Sequence, residues 1–146
     1  MRLPPALLPL VAALAACSAP GPDISAEKAW ARATGRSGMA AAYLTINNKG
    51  AADELTGVRT SIGEAMLHEA SIEDGVMRMR PIEHGQGMVV ASNGRLALAP
   101  SGAHVMISGL KRPLAAGDRF DLTLLFEKSR PKKVAVEVRP ADAAAH

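Results

Sequence analysis

Two imidazoles and several thioethers recur at short spacings in the middle of the sequence. His68 is followed by Met77 and Met79, and a separate stretch carries His104 and Met106 two positions apart. Thioether sulfur is soft and neutral, and suits monovalent copper far better than zinc, magnesium or calcium. Imidazole strengthens such a set, and makes binding weaken as the pH falls and the ring protonates. The chemistry expected of these residues is Cu(I) binding. Taken singly, each has a blander use, because methionine is a common core filler. Met39, Met66 and Met88 are read as filler, His84 as an exposed loop residue and His146 as part of a frayed tail.

Cys17 is the only cysteine. It closes an N-terminal segment in which Arg2 precedes an apolar run over 3–16, interrupted by Pro4, Pro5 and Pro9. The run is too short to span a membrane as a mature helix and has the pattern of a secretory signal. Its end, Leu14-Ala15-Ala16-Cys17, resembles a bacterial lipobox, in which Cys17 is lipidated and becomes the first mature residue. The alternative is an ordinary signal peptide cleaved elsewhere, with a spare cysteine. On the lipoprotein reading the folded domain keeps no thiol, so it has no disulfide, no thiolate nucleophile and no thiolate metal ligand. A thiol site is at risk in an oxidising compartment. A thioether forms no disulfide, although it still oxidises to sulfoxide. A His and Met site is thus well matched to copper handling outside the cytoplasm. The expected location is periplasmic and membrane-anchored.

The elements that must position these side chains read as strands. Aromatic content is 3% against 48% hydrophobic residues overall, so the core has to be aliphatic and offers no platform for stacking bases. A formal charge of +3 is too small and scattered to indicate nucleic acid. Residues 1–16 are expected to be a signal peptide, 17–23 the lipidated cysteine and a Pro- and Gly-rich tether, 24–140 one domain and 141–146 a frayed tail. Within the domain, short runs are separated by turn signals. They lie at 28–33, 40–47, 54–61, 65–71, 76–82, 88–91, 95–98, 104–108, 120–127 and 133–138. A helical turn is expected over 114–117. The pattern predicts an all-β, antiparallel sandwich of about eight or nine strands.

Asp74-Gly75 is a strong hairpin signal, and Asn93-Gly94 a second. If Asp74 and Gly75 are the two loop residues, Glu73 faces Val76, Ala70 faces Met79 and His68 faces Pro81. Met79 is then a diagonal neighbour of His68 on the same face, about 7 Å away at the backbone. A three-residue loop would send Met79 to the other face. Met77 and Met79 share a face, and strand geometry leaves both open as ligands. Pro81 marks a strand end or a sheet edge. His104 and Met106 share a face, while Val105 and Ile107 point into the core.

The sequence resembles the PCuAC family of periplasmic copper chaperones. The resemblance covers most of the domain. It runs through Ala29-Trp30-Ala31-Arg32-Ala33, Ala42-Tyr43-Leu44-Thr45-Ile46 and Leu67-His68-Glu69. It continues through Gly75-Val76-Met77-Arg78-Met79-Arg80-Pro81, His104-Val105-Met106, Gly109-Leu110-Lys111 and Leu122-Thr123-Leu124-Leu125-Phe126-Glu127. It implies a cupredoxin-like, immunoglobulin-like β-sandwich. It also implies a Cu(I) site of His68, Met79, His104 and Met106, and so chooses Met79 over Met77. By resemblance the copper goes to the binuclear site in subunit II of cytochrome c oxidase, often beside Sco-type thiol proteins. The chain departs from the family in four ways. Glu69 and Ala70 stand where many members have a methionine, the gap from Met79 to His104 is slightly long, the Ala-rich tail lacks the second His- and Met-rich site of some members, and the expected lipid anchor varies on the usual soluble form.

The expectation is a monomeric copper-transfer protein, not an enzyme, because no acid–base pair or nucleophile accompanies the four ligands. An electron-transfer cupredoxin would need a cysteine thiolate near the second histidine. A metal-free envelope lipoprotein, with the Met and His residues as packing, is the remaining alternative.

Overall fold

The computed structural model describes residues 19–83 and 85–143, and within them the protein is all β, with no helix among the described residues. The proposed leader and Cys17 lie outside the described residues, as do His84 and His146. Ten strands follow in order: β1 (Ile24–Arg32), β2 (Ala40–Asn48), β3 (Asp53–Thr60), β4 (Glu64–Glu73), β5 (Val76–Pro81), β6 (Met88–Val90), β7 (Arg95–Leu98), β8 (His104–Ser108), β9 (Arg119–Phe126) and β10 (Lys132–Arg139). This is one or two more than the eight or nine expected, and the shortest are β6 and β7, of three and four residues.

The strands form one continuous sheet in the order β5-β4-β8-β2-β1-β10-β9-β3-β6, with β7 pairing the remaining length of β2. Neighbours are antiparallel except β1 and β10, which run parallel. Alternation sends one set of side chains inward. Leu44, Ile46, Leu55, Val90, Val105, Ile107, Leu122, Leu124, Val136 and Val138 are fully buried in a single aliphatic core. Each such side chain contributes about 1.5–3 kcal/mol of burial. Met88 belongs to this core, as expected.

Two turns differ from the sequence reading. Asn93-Gly94 does not close a hairpin: β6 pairs β3, whereas β7 pairs β2, so the turn crosses from one part of the sheet to another. Gly94 donates its N–H to Ala91 O, and its carbonyl receives Asn48 N–H at 2.8 Å. The buried Asn48 side chain pins the same corner, accepting from Asp23 and Gly50 N–H and donating to Ala51 O. The helical turn expected at 114–117 is a tight turn instead. Asp118 N–H donates to Ala115 O, while the Asp118 carboxylate accepts from Ala115 N–H and from Arg112. That carboxylate braces the turn by accepting from a backbone donor three residues earlier.

Asp53, at the start of β3, is almost fully buried. Burial pushes its carboxyl up. Hydrogen bonds from Ser129 and from Glu54 and Lys128 N–H outweigh this and hold it below the ordinary carboxylate value. The carboxylate ties the start of β3 to the turn between β9 and β10.

Candidate metal centre

The site face is built on the β5-β4-β8-β2-β1 part of the sheet. Asp74 and Gly75 both have positive φ, 53° and 76°, as a two-residue type I′ hairpin requires. The register follows from that turn: Glu73 faces Val76, Ala70 faces Met79 and His68 faces Pro81. On its other side β4 pairs β8, which places His68 opposite His104 and Met66 opposite Met106. Strand alternation then puts His68, Met79, His104 and Met106 on one face. Leu67, Val105 and Ile107 take the other and are buried.

The two imidazole rings are 5.5 Å apart between centroids and nearly perpendicular, at 80°. Two imidazoles sharing one ion through bonds of about 2 Å would have centroids at most roughly 6.4 Å apart, so this spacing suits a shared, bent arrangement. His104 Nδ1 lies 2.9 Å from Gly102 O. A carbonyl only accepts, so in the neutral ring Nδ1 carries the hydrogen and Nε2 keeps its lone pair for another ligand. His68 Nδ1 is buried and has no hydrogen-bond partner among the described residues. Burial pushes the His68 pKa below the ordinary imidazole value, and repulsion from His104 adds to this. Both effects favour a neutral, metal-competent ring at neutral pH.

Aromatic packing fixes His104 from behind. The Tyr43 ring lies 6.4 Å from it, and Trp30 stacks obliquely on Tyr43 at 4.7 Å. Arg32 and Arg139 cover the Trp30 ring at 5.8 and 5.0 Å. His104 is therefore only 4% exposed. The thioethers are the reverse, with Met79 51% and Met77 46% exposed on β5. Among the described residues β5 pairs only β4, so Pro81 sits in an edge strand, as expected. On the reverse face Glu73 pairs with Arg80 at 2.7 Å and with Arg78 at 3.3 Å, bracing the β4–β5 hairpin.

Register also separates the two methionines. Met79 is two residues from the His68–Pro81 pair and Met77 is four. At about 3.4 Å per residue Met77 lies roughly 14 Å along the strand, twice as far as Met79.

A family model described as "Putative lipoprotein LpqE-like" matches residues 24–138, nearly all of the domain. The chain belongs to this LpqE-like, PCuAC-type family. A "Putative lipoprotein Lxx21020" of Leifsonia xyli is 36% identical over 118 residues, covering 80% of this chain and 69% of that protein. An uncharacterized protein, RP573 of Rickettsia prowazekii, is 29% identical over 75% of this chain and 62% of its own length. Among solved structures, the copper-bound PCuAC domain from PmoF2 superposes with a TM-score of 0.65 at 25% identity, covering 84% of this chain and 97% of that one. The CuI-DR1885 structure from Deinococcus radiodurans gives 0.57 at 30% identity, covering 80% and 76%. The fold is the cupredoxin-like β fold of these PCuAC domains.

Within this PCuAC-type fold, sequence reasoning missed two things. Met66 and Met39 are not filler: they are 37% and 52% exposed, and Met66 shares the site face directly opposite Met106. The aromatic pair behind His104 was also not foreseen as a support. Met66-Leu67-His68 is the reverse of His104-Val105-Met106, a signal that is readable only once β4 and β8 are known to pair antiparallel. Among the described residues no three His, Cys, Asp or Glu side chains gather to hold a metal.

Proposed function

We propose that this chain is an extracytoplasmic metallochaperone that binds Cu(I) and passes it on, and is not an enzyme. The proposed ligands are His68, Met79, His104 and Met106. The observation that carries the proposal is the direct cross-strand pairing of His68 with His104, flanked on the same face by the thioethers of Met106 and Met79. Two neutral imidazoles and two thioethers form a soft, uncharged donor set, which favours a monovalent, polarisable ion. The buried His68 Nδ1 without a partner among the described residues is a costly arrangement in metal-free packing, and it fits a ring that exists to bind a ligand.

The exposure pattern supports transfer. His104 is sealed in place, while Met79 stands on an exposed edge strand, where an incoming ligand can displace it. The printed descriptions of the PmoF2 domain as copper-bound and of DR1885 as CuI-bound support copper as the cargo. The lipoprotein names of the family and of the Leifsonia relative support Cys17 as a lipid attachment point. On this reading residues 1–16 are removed, 17–23 tether the domain, and a monomer faces the periplasm. The acceptor implied by the resemblance is subunit II of cytochrome c oxidase, at its binuclear copper site, with a Sco-type protein alongside.

The test is an anaerobic Cu(I) titration of the purified protein against a competing chelator. One ion per chain, weakened strongly by His104→Ala, supports the reading. No uptake, or uptake indifferent to His104, contradicts it.

A further inference from the structure

We infer that Met66 is a fifth copper-binding side chain, able to complete a His2Met2 set on β4 and β8 without the help of β5. This rests on the proposed Cu(I) function and extends the ligand set. The ladder sets His68 directly opposite His104 and Met66 directly opposite Met106, with one pair, Leu67 and Val105, between them on the other face. Met66 therefore stands two residues from His68 along β4 and diagonally across from His104 on β8. The two thioethers are direct partners, with Cβ atoms about 4.5–5.5 Å apart, and each is the diagonal neighbour of the opposite imidazole at roughly 7–8 Å. The like-with-like facing is written in the sequence as Met66-Leu67-His68 against the reversed order His104-Val105-Met106.

Burial supports a role for this side chain. Leu67, next to Met66, is 4% exposed and fills the core, whereas Met66 stays 37% exposed on the histidine face, two residues from His68. A methionine kept at the surface contributes little packing. A thioether beside two imidazoles, one with a buried nitrogen that lacks a partner among the described residues, contributes a soft donor.

The consequence is a built-in exchange. When the Met79 thioether leaves the ion, the Met66 thioether takes its place. One sulfur donor replaces another, so the charge and oxidation state of Cu(I) do not change. The ion stays held by two adjacent strands while the exposed β5 edge is released to an acceptor.

The experiment compares the purified wild-type protein with Met66→Leu, Met79→Leu and the double variant. Leucine keeps the apolar volume, so folding is retained, and thermal melts check this. Cu(I) affinity is measured by anaerobic chelator competition, and the number of sulfur neighbours by X-ray absorption. Met66→Leu is expected to stay within a few-fold of the wild type, because Met79 still completes the set, and Met79→Leu to lose about tenfold, with Met66 as the substitute donor. The double variant is expected to lose more than the product of the two. Copper in Met79→Leu keeps two sulfur neighbours, and copper in the double variant keeps one. If the double variant matches Met79→Leu in affinity, with one sulfur in both, the inference is overturned while the proposed function stands. If the wild type takes up no Cu(I), both fall.

Discussion

His68 and His104 face each other across β4 and β8 with their ring centroids 5.5 Å apart. The two residues are 36 positions apart in sequence, and neither belongs to a hairpin with the other. The candidate site is therefore made by the sheet's non-local pairing, and its chemistry depends on that pairing holding.

Cu(I) binding should weaken on the acid side of neutrality. His68 titrates below its ordinary value of 6.5 because it is partly buried and faces His104. The ring therefore stays neutral and ligating somewhat below that pH, and loses its lone pair to a proton only further down. Affinity measured from about pH 8 to about pH 5 should stay flat at first and then fall. The metal-free protein should follow the same sign. The unfolded chain takes up His68's proton near pH 6.5 and the folded chain only at lower pH, so this contribution is fully present above 6.5 and is lost as pH falls through the folded value. A histidine-free profile, equally strong across the range, would contradict the assignment of His68.

Met79→Leu should weaken Cu(I) binding, and Met77→Leu should leave it within a few-fold of wild type. Both methionines are exposed on β5 and both share the site face. Only Met79 lies one pleat from His68, and leucine supplies the same bulk without the sulfur. Parallel chelator competitions decide the matter. Equal losses in the two variants would mean that β5 shifts register when it meets the ion.

Asp53→Ala should destabilise the fold by about 2–4 kcal/mol, because three backbone donors lose a shared buried acceptor. Denaturant unfolding measures this. Copper affinity should not change, since Asp53 belongs to the β3-β9 part of the sheet, away from the histidines. The folded pKa of Asp53 is depressed, so its contribution is present above its ordinary value of 3.8 and is lost as pH falls through the folded value. The variant should show a smaller acid-induced loss of stability than the wild type below about pH 4.

What the sequence made legible is mostly local. Asp74-Gly75 carries its own turn chemistry, and that turn alone dictates which residues of β4 and β5 face each other. His104 and Met106 share a face for a reason contained in two residues of spacing. The aliphatic alternation from Phe120 to Leu124 marks β9 with equal clarity. The rest depends on contacts between distant segments. Nothing near Asn93-Gly94 reveals that β6 and β7 have different partners, because that is settled by β3 and β2. Met66 looks like any core methionine until β8 is laid beside it. The segment 114–117 is a tight turn, braced by a carboxylate at Asp118 just beyond it.

The most direct test is the occupancy and affinity of Cu(I) in the wild-type protein beside His68→Ala and His104→Ala. The account predicts one Cu(I) per chain in the wild type, with affinity reduced by about a hundredfold or more in each variant, beyond the loss from a supporting group alone. Variants that remain folded and bind Cu(I) as the wild type does would contradict it, as would a wild-type protein that takes up no copper.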